Sequence, residues 1–466
     1  MVEIDTHTED SAVTDLQEQF RGTILRPDDD GYDDARSVWN AMIDRKPAII
    51  ARCAGVADVI SSVTFAREHE LLLSVKGGGH NAAGNAVSDG GLMIDLSPMN
   101  SVRVDPDTRT ARVEPGAVIG ELDHETQSFG LVAPAGIVST TGVAGLTLGG
   151  GWGWLSRTHG LAIDNLQSVD LVTAESELLH ASENNHEELF WGIRGGGGNF
   201  GVVTSFEFQL QEVGPEVLAG PIFHPYEDAA ELLRFHREFT ADAPDELCCY
   251  AAIMTAPEAP FLPQEVHGTT VFAFVTCYSG DVEEGKAVVE PLREFGEPIA
   301  DIVGVMPFTA LQQLFDGEFE PGARNYWKSQ LVDPLPDEAI ETVVELGRSL
   351  PSPASQIVLE HLGGAISRVD PDATAYRHRD AAFSFNVFPR WDDPEEDESH
   401  IAWAQEAINA IQPYATEGIA VNFMSQEGED RVKAAYGDNY DRLVELKNDY
   451  DPDNLFRMNQ NIEPTV

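Results

Sequence analysis

One histidine of the chain stands in a loop that could hold it against a bound ligand. The loop is KGGGHN, residues 76–81, and His80 follows three consecutive glycines. Residues without a Cβ let backbone amides approach phosphate groups closely, and they leave the neighbouring imidazole unencumbered. A neutral imidazole nitrogen is a nucleophile. The loop therefore indicates a pocket for a large cofactor, with His80 able to bond to it.

Glycine is concentrated in three clusters between residues 77 and 201. They are the run 77–79, the segment 136–153 and the segment 195–201, which reads GGGGNFG. A planar dinucleotide requires backbone amides at its pyrophosphate and backbone packed against its ring. Three such clusters therefore favour a dinucleotide site over a set of ordinary turns.

The third cluster also matches the Rossmann fingerprint, with glycines at 196, 198 and 201. That fingerprint requires a strand before it and a helix after it. Here the residues that follow, 202–208, alternate like a strand, and the chain contains no GxxxxGK(S/T) loop. Rossmann and P-loop nucleotide sites are therefore disfavoured.

Hydrophobic spacing predicts an α+β fold in which helices and strands follow one another in mixed order. Apolar residues have helical spacing over 56–66 and 119–129, while 71–75 reads as a buried strand and 101–114 as a hairpin. Two Gly-Pro pairs between 214 and 221 indicate a crossover into a second domain. We expect three parts, at 1–213, 214–425 and 426–466.

The charge balance is strongly acidic, with 79 acidic and 29 basic residues and a formal net charge of −50. Only six of the basic residues are lysine. Self-repulsion of this size is relieved when salt screens it, so the composition is typical of a protein adapted to concentrated salt. An acidic surface repels nucleic acid and anionic lipid, and we expect neither as a partner.

Several features favour a cytoplasmic, metal-free protein. No window has the apolar length of a spanning helix, and the first ten residues lack the basic and apolar regions of a signal peptide. The four cysteines have no metal-ligand spacing, and we expect buried free thiols.

Four stretches of the chain carry a family resemblance. They are SVKGGGHNAAG (74–84), PAGIVSTTGVAGLTLGGGWGWLSRTHGLAIDNL (134–166), ELFWGIRGGGGNFGVVTSFEF (188–208) and YGDNYDRLVELKNDYDPDNLFRMNQNI (436–462). In these stretches the chain resembles the berberine-bridge-enzyme-like branch of the vanillyl-alcohol-oxidase superfamily and is similar to its bacterial 6-hydroxynicotine oxidases. The resemblance implies a two-part PCMH-type domain that binds FAD, a substrate domain with an antiparallel sheet covered by helices, and a C-terminal segment that returns to the FAD domain.

The same resemblance implies which residues contact FAD. His80 matches the histidine that carries an 8α-histidyl link to the flavin, and Lys76 directly precedes the pyrophosphate loop. The remaining cofactor positions are Gly77, Gly78, Gly79, Asn81, Thr141, Gly142, Gly145, Gly149, Gly150, Asp164, Asn165, Gly198, Asn199, Gly201, Val202, Asn459 and Gln460.

The chain departs from the family pattern at two positions. Members with a second covalent link carry a cysteine where this chain has Val138, so a thioether to the flavin is excluded. Many members also carry a tyrosine two residues before the asparagine that matches Asn422, and Ala420 stands there instead. The usual tyrosine base is therefore missing.

The replacement for that base is expected in the second domain. Asn386 aligns with a position where some members have Glu or Gln, although an amide does not take a proton at neutral pH. Tyr376 and His378 are nearby alternatives, and Lys328 lies in an aromatic segment where burial would lower its pKa. Each of the four is equally compatible with packing or with a solvated strand surface.

The expected activity is FAD-dependent removal of hydride from a C–H next to oxygen or nitrogen in a small organic substrate. The electrons then pass to O₂ or to another acceptor. Two alternatives remain open: a dehydrogenase with a non-O₂ acceptor, and a flavin-binding protein without catalysis. A homo-oligomer is compatible with the sequence, and the substrate is not encoded in any motif.

Overall fold

The structure, a computed structural model, describes residues 6–425 and 428–466. Residues 1–5 lie outside the described part, so the expectation about a signal peptide falls partly there. Residues 426 and 427 are also outside it, and with them the predicted boundary between the second and third parts.

The first unit is a small sheet of mostly parallel strands with helices around it. Its strand order is β1-β2-β4-β3, in which β2, β4 and β3 run parallel and β1 is antiparallel. The predicted helix at 56–66 and strand at 71–75 are both confirmed, with small shifts of their ends. The elements are α1 (Thr6–Gln19), β1 (Thr23–Leu25), α2 (Tyr32–Arg36), β2 (Ile49–Arg52), α3 (Val56–Glu68), β3 (Leu73–Lys76) and β4 (Leu92–Asp95).

The second unit contains a five-stranded antiparallel sheet with the order β5-β6-β10-β8-β9. Strand β10, the last of this sheet in sequence order, begins directly after Gly201. The prediction that a strand and not a Rossmann helix follows the glycine cluster is therefore confirmed. The elements are β5 (Val102–Asp105), β6 (Thr110–Val113), α4 (Ile119–Gln127), β7 (Leu131–Val132), α5 (Val143–Leu148), α6 (Ser156–His159), β8 (Leu166–Val172), β9 (Leu178–Ser182), α7 (Glu187–Ile193), β10 (Val202–Gln209) and β11 (Gln211–Glu212).

A large antiparallel sheet dominates the rest of the chain, in the order β15-β12-β14-β13-β19-β20-β18, with β16 also paired to β12. The predicted crossover is shorter than expected, because Gly220 and Pro221 already lie inside β12. The elements are β12 (Glu216–Pro225), α8 (Ala229–Ala241), β13 (Leu247–Thr255), β14 (Thr270–Tyr278), α9 (Val282–Glu294), β15 (Ala300–Asp301), β16 (Gly304–Pro307), α10 (Phe308–Gln312), β17 (Arg324–Asn325), β18 (Lys328–Val332), α11 (Asp337–Gly347), β19 (Gln356–His361), α12 (Ala365–Arg368), β20 (Phe383–Phe388), β21 (Arg390–Trp391), α13 (Asp397–Ile411), α14 (Glu429–Tyr436) and α15 (Tyr440–Tyr450).

The two faces of this sheet have different neighbours. Alternate residues such as Ile357 and Leu359 on β19 pack in one core with α8, α11 and α13. The intervening residue Val358 packs in a second core, which includes Trp39 of the first unit and Val138 of the second. Because side chains alternate along a strand, Glu360 also projects from the face opposite the helices. The predicted α+β fold, with an antiparallel sheet covered by helices, is confirmed.

The last segment of the chain packs back on the second unit, and a buried lysine that is ion-paired within the segment connects the two. The Lys447 ammonium donates to Asp451 Oδ2 at 2.6 Å and to the backbone carbonyls of Asn199 and Phe456 at 2.9 and 3.0 Å. Both side chains are fully buried. This pair fixes the glycine-rich segment 195–201 to the chain end.

The four cysteines all lie in the described residues and are buried with free thiols, as predicted. Within the described ranges, no helix combines the length and the apolarity that crossing a membrane requires.

Candidate functional site

A large cavity lies where the glycine clusters face the antiparallel sheet. It encloses about 1870 Å³ of empty space, counting its open mouth. All three glycine clusters and the C-terminal segment contribute to its walls.

Two glycine clusters meet at one wall of the cavity. A Cβ on Gly78 would lie 2.5 Å from the Cα of Gly142, and a Cβ on Gly142 would lie 2.5 Å from the Gly78 backbone nitrogen. Any side chain at either position would therefore separate the two loops. Gly145 and Gly198 instead face open space within the lining, where a Cβ would project into the cavity. Exposed backbone of this kind fits the flat faces and the phosphates of a dinucleotide.

His80 stands at the end of this glycine-lined channel. Its ring stacks on Trp39 with the centroids 4.5 Å apart and the planes 16° from parallel. Burial lowers the pKa of His80 to about 4, so the imidazole is neutral at pH 7. Its Nε2 atom is buried and has no hydrogen-bond partner. An orphaned, neutral ring nitrogen in a glycine-lined cavity is suited to form a bond to a cofactor bound there.

The wall opposite the glycine loops is mainly aromatic. Trp327 lies on one side, and its indole centroid is 4.7 Å from the ring of Phe388 and 6.3 Å from that of His80. The ring of Phe423 lies between Phe388 at 5.9 Å and Trp152 at 5.3 Å. These rings line the cavity and leave an apolar slot beside the histidine.

A carboxyl group interrupts this aromatic wall. Glu360 lines the cavity and is 3% exposed. Its Oε2 accepts hydrogen bonds from Trp152 Nε1 at 2.8 Å and from Asn386 Nδ2 at 3.0 Å. Burial raises the pKa of Glu360 to about 7, while the two hydrogen bonds act in the opposite direction. A carboxyl group with this pKa can exchange a proton near neutral pH.

Most of the predicted cofactor residues line this cavity. From the first cluster and its flank these are His80 and Asn81 together with the three preceding glycines. The others are Thr141, Gly142, Gly145, Gly149, Gly198, Gly201, Val202, Asn459 and Gln460. The structure thus brings residues from both ends of the chain to one site.

Lys76 and Asn199 lie behind the lining rather than in it. The Lys76 ammonium donates to the Ala35 carbonyl at 2.7 Å, and burial lowers its pKa. Lys76 therefore supports the loop from outside and does not face the cavity. The Asn199 side chain bridges Gly196 and the chain end, where it donates to the Gln460 carbonyl at 3.2 Å.

Gly150, Asp164 and Asn165 are also absent from the part of the lining that the structure describes. A Cβ on Gly150 would lie 2.9 Å from the Tyr376 ring, so this glycine makes room for the second domain. Asp164 forms a two-pronged ion pair with Arg379 at 2.8 and 2.9 Å, both side chains being nearly inaccessible. Asn165 donates to the His159 and Leu161 carbonyls.

The predicted bases Asn386 and Tyr376 lie next to the lining. Asn386 reaches Glu360, as described above, and is fully buried. The rings of Tyr376 and Trp152 pack edge to face, with their centroids 6.5 Å apart. Burial raises the pKa of Tyr376 above the ordinary value of tyrosine. Both residues therefore contact side chains of the cavity wall rather than the cavity itself.

The other two predicted bases point elsewhere. His378 Nε2 is 2.9 Å from the Ala434 carbonyl, and burial lowers its pKa. On β18, Lys328 is paired in register with Val387, which packs in the core on the helix-covered face of the sheet. Directly paired residues project from the same face, so Lys328 projects away from the cavity. Its ammonium lies 5.1 Å from the Tyr326 ring centroid.

The sequence predictions missed Glu360 and the aromatic residues around it. The sequence does carry a signal for Glu360, because it is the only acid of strand β19, QIVLEH, and directly follows the apolar run IVL. A carboxylate in a buried strand is costly unless it has partners or a function. Trp152 follows the glycines of the second cluster and could have been recognised as part of the same wall.

Comparisons with known proteins agree with this geometry. Two family models match, one described as an FAD binding domain over residues 47–182 and one as berberine and berberine like over residues 421–463. An FAD-linked oxidoreductase of Dictyostelium discoideum is 32% identical, over 97% of this chain and 97% of its own length.

Two solved structures of oxidases resemble the whole chain. The crystal structure of 6-hydroxy-D-nicotine oxidase from Arthrobacter nicotinovorans has a TM-score of 0.87 at 30% identity, covering 96% of this chain and 98% of that one. Xylooligosaccharide oxidase from Myceliophthora thermophila, in complex with xylobiose, has a TM-score of 0.85 at 25% identity, covering 98% and 100%.

Proposed function

Because the chain belongs to the berberine-bridge-enzyme-like family of FAD-linked oxidoreductases, we propose that it oxidises a small organic substrate at a C–H next to oxygen or nitrogen, with the flavin tethered through His80. The observation that carries this proposal is the glycine-lined cavity that ends at the orphaned Nε2 atom of His80. FAD, when bound, supplies the hydride acceptor.

The residues that would hold the cofactor have different roles. The backbone around Gly78 and Gly142 forms a closely packed wall, and Gly145 and Gly198 leave backbone exposed to the ligand. His80 supplies the tether. No second tether is proposed, because Val138 has no thiol.

The similar oxidases act on very different molecules, one on 6-hydroxy-D-nicotine and one on xylooligosaccharides. We propose an oxidase that uses O₂, in line with both of them. A dehydrogenase that passes electrons to an organic or protein acceptor is the alternative, and steady turnover with and without O₂ separates the two.

The proposal is tested by the colour of the protein and by its reduction. Purified protein is expected to be yellow, and acid precipitation should leave flavin fluorescence in the pellet. Anaerobic mixing with 6-hydroxynicotine and with xylobiose should show which class of compound bleaches the flavin. Complete release of flavin by acid would contradict the tether, and a colourless protein that does not take up FAD would contradict the function.

Two further parts of the proposal concern where the protein works. The net charge of −50 supports adaptation to concentrated salt. The four buried free thiols support a reducing, cytoplasmic location, because disulfides form and persist in oxidising compartments.

A further inference from the structure

We propose that Glu360 is the catalytic proton acceptor of this site, held in place by Trp152 and Asn386, and that it takes its proton from the hydroxyl or amine of a flat, largely apolar substrate. This inference rests on the proposed flavin-dependent oxidation. It supplies the base that the sequence lacks at Ala420.

The position of Glu360 follows from strand register. On β20, Asn386 pairs with Val358, and Ser384 pairs with Glu360, so Glu360 and Asn386 are diagonal neighbours on one face. That face looks toward the first two units, and Trp152, which comes from the second unit, donates to the same carboxyl oxygen at 2.8 Å. Two donors on Oε2 hold the group in one orientation, and Oε1 has no hydrogen-bond partner among the described residues.

The groups around Glu360 allow its pKa to lie near 7. The titratable groups that face it are Cys248 and Tyr250 on β13 and Tyr376 in the loop before β20. Burial raises the pKa of all three, so they are uncharged at pH 7 and do not stabilise a carboxylate. Burial of Glu360 itself is the largest influence on its pKa, and the hydrogen bonds from Trp152 and Asn386 limit the rise.

The substrate class follows from what surrounds the carboxyl group. Phe319, Trp327, Phe388 and Phe423 line the cavity on the substrate-domain side, and Glu360 is the acidic side chain among them. Aromatic faces bind flat apolar bodies and cations well. A sugar chain, in contrast, would need a polar partner for each buried hydroxyl. An aryl-methyl alcohol or amine would place its ring against the aromatic side chains and its single polar group against Glu360.

The proposed oxidation sends a hydride and a proton from the substrate to two different acceptors. A substrate R₂CH–XH, in which X is oxygen or nitrogen, becomes R₂C=X. The C–H bond gives its two electrons and its hydrogen as hydride to the bound flavin. The electrons of the X–H bond form the new C=X bond, and the released proton forms an O–H bond on Glu360. Glu360 later returns this proton to solvent, and the electron acceptor reoxidises the flavin.

The first test measures the carboxyl group directly, without turnover. Infrared difference spectra of the flavin-loaded protein between pH 6 and pH 8 should show loss of a protonated carboxyl band. The band should vanish in Glu360→Gln and persist in Glu318→Gln. Glu318 is a matched control, since it is a half-buried carboxyl in the same part of the chain that accepts from Gln356 at 2.9 Å, outside the cavity lining. The same band in Glu360→Gln would overturn the assignment.

The second test measures flavin reduction under anaerobic conditions. Benzylamine, N-methylbenzylamine and 4-hydroxybenzyl alcohol serve as flat probes, and cellobiose serves as the polyhydroxylated one. At least one flat probe should bleach the flavin faster than cellobiose does. Glu360→Gln should slow that reduction by about 10²–10⁴-fold, as expected for loss of a general base. Glu318→Gln should keep the wild-type rate.

The third test determines whether Trp152 positions the Glu360 carboxylate or only packs beside it. Trp152→Phe keeps an aromatic ring and removes the N–H donor to the Glu360 carboxylate. A hydrogen bond to a charged group contributes about 1.5–3 kcal/mol, so the midpoint of the pH–rate profile should move upward by about one to two units. A slower rate with an unchanged midpoint would contradict the role given to Trp152.

The outcomes also distinguish this inference from the proposed function. A purified protein that neither contains nor binds flavin contradicts the function itself. A yellow protein that cellobiose reduces faster than every flat probe contradicts only the substrate class. Wild-type rates in Glu360→Gln contradict only the assignment of the base.

Discussion

The imidazole of His80 and the indole of Trp39 form a parallel stack with a centroid separation of 4.5 Å. Trp39 is itself fixed, because its Nε1 donates to the Phe319 carbonyl at 2.6 Å. The segment before β2 thereby sets the orientation of the histidine that lines the cavity.

Trp39→Ala should therefore slow formation of the flavin tether. An aromatic pair contributes about 0.5–1.5 kcal/mol beyond its buried area, which corresponds to a rate roughly two- to tenfold lower. The measurement is the acid-stable share of bound flavin during reconstitution with FAD. Trp391→Ala is the control, since Trp391 forms a similar stack with His400 at 4.4 Å elsewhere. An equal loss in both variants would contradict the role of Trp39.

Lys447→Met should destabilise the protein by about 3–5 kcal/mol, because it leaves the Asp451 carboxylate buried without its partner. Lys433→Met removes an exposed pair with Glu429, at the same i,i+4 spacing, and should change stability by less than about 1 kcal/mol. Urea unfolding followed by tryptophan fluorescence measures both. Similar midpoints for the two variants would show that the buried pair does not stabilise the chain end.

Acid should destabilise the folded protein through His236. This histidine is buried, its Nε2 is 2.9 Å from the Cys249 carbonyl, and burial lowers its pKa to about 4. The unfolded chain therefore binds a proton at higher pH than the folded one. Stability from this residue is complete above pH 6.5 and falls by about 1.4 kcal/mol per unit between pH 6.5 and pH 4.

The test compares wild type with His236→Gln, which keeps a donor to Cys249. The stability difference should shift in favour of the variant as the pH falls from 7 to 5. A constant difference for His236→Gln would rule out this source of acid sensitivity.

Salt should raise the unfolding temperature. With a net charge of −50, screening between tens of millimolar and molar NaCl reduces repulsion in the folded state more than in the expanded one. Differential scanning fluorimetry in NaCl, with sucrose at equal osmolality as the comparison, separates screening from solute exclusion. The same response to both solutes would contradict the proposed adaptation.

The cofactor side of the site was predictable because glycine leaves a signature in the sequence. A run such as 77–79 is rare unless the backbone must come close to something, and the structure confirms this with the Gly78–Gly142 contact. The family motifs then placed residues from 77 to 460 in one site, most of which line the cavity.

The substrate side was less predictable, because it depends on which face a strand presents. Lys328 and Glu360 are both polar residues in buried strands, and the sequence alone does not say which of them looks toward the cofactor. The register of β18 and β19 against β20 decides it. The fit of Tyr376 over Gly150 depends likewise on tertiary structure, since the two residues are distant in sequence.

The lining of the cavity comes from stretches far apart in the chain, from His80 and its neighbouring glycines to Asn459 and Gln460. The ribosome makes the first of these stretches long before the last, so we expect the pocket for the proposed flavin to close only once the segment around residue 460 has been made. A chain interrupted before that segment would have an open pocket and is expected to lose the flavin.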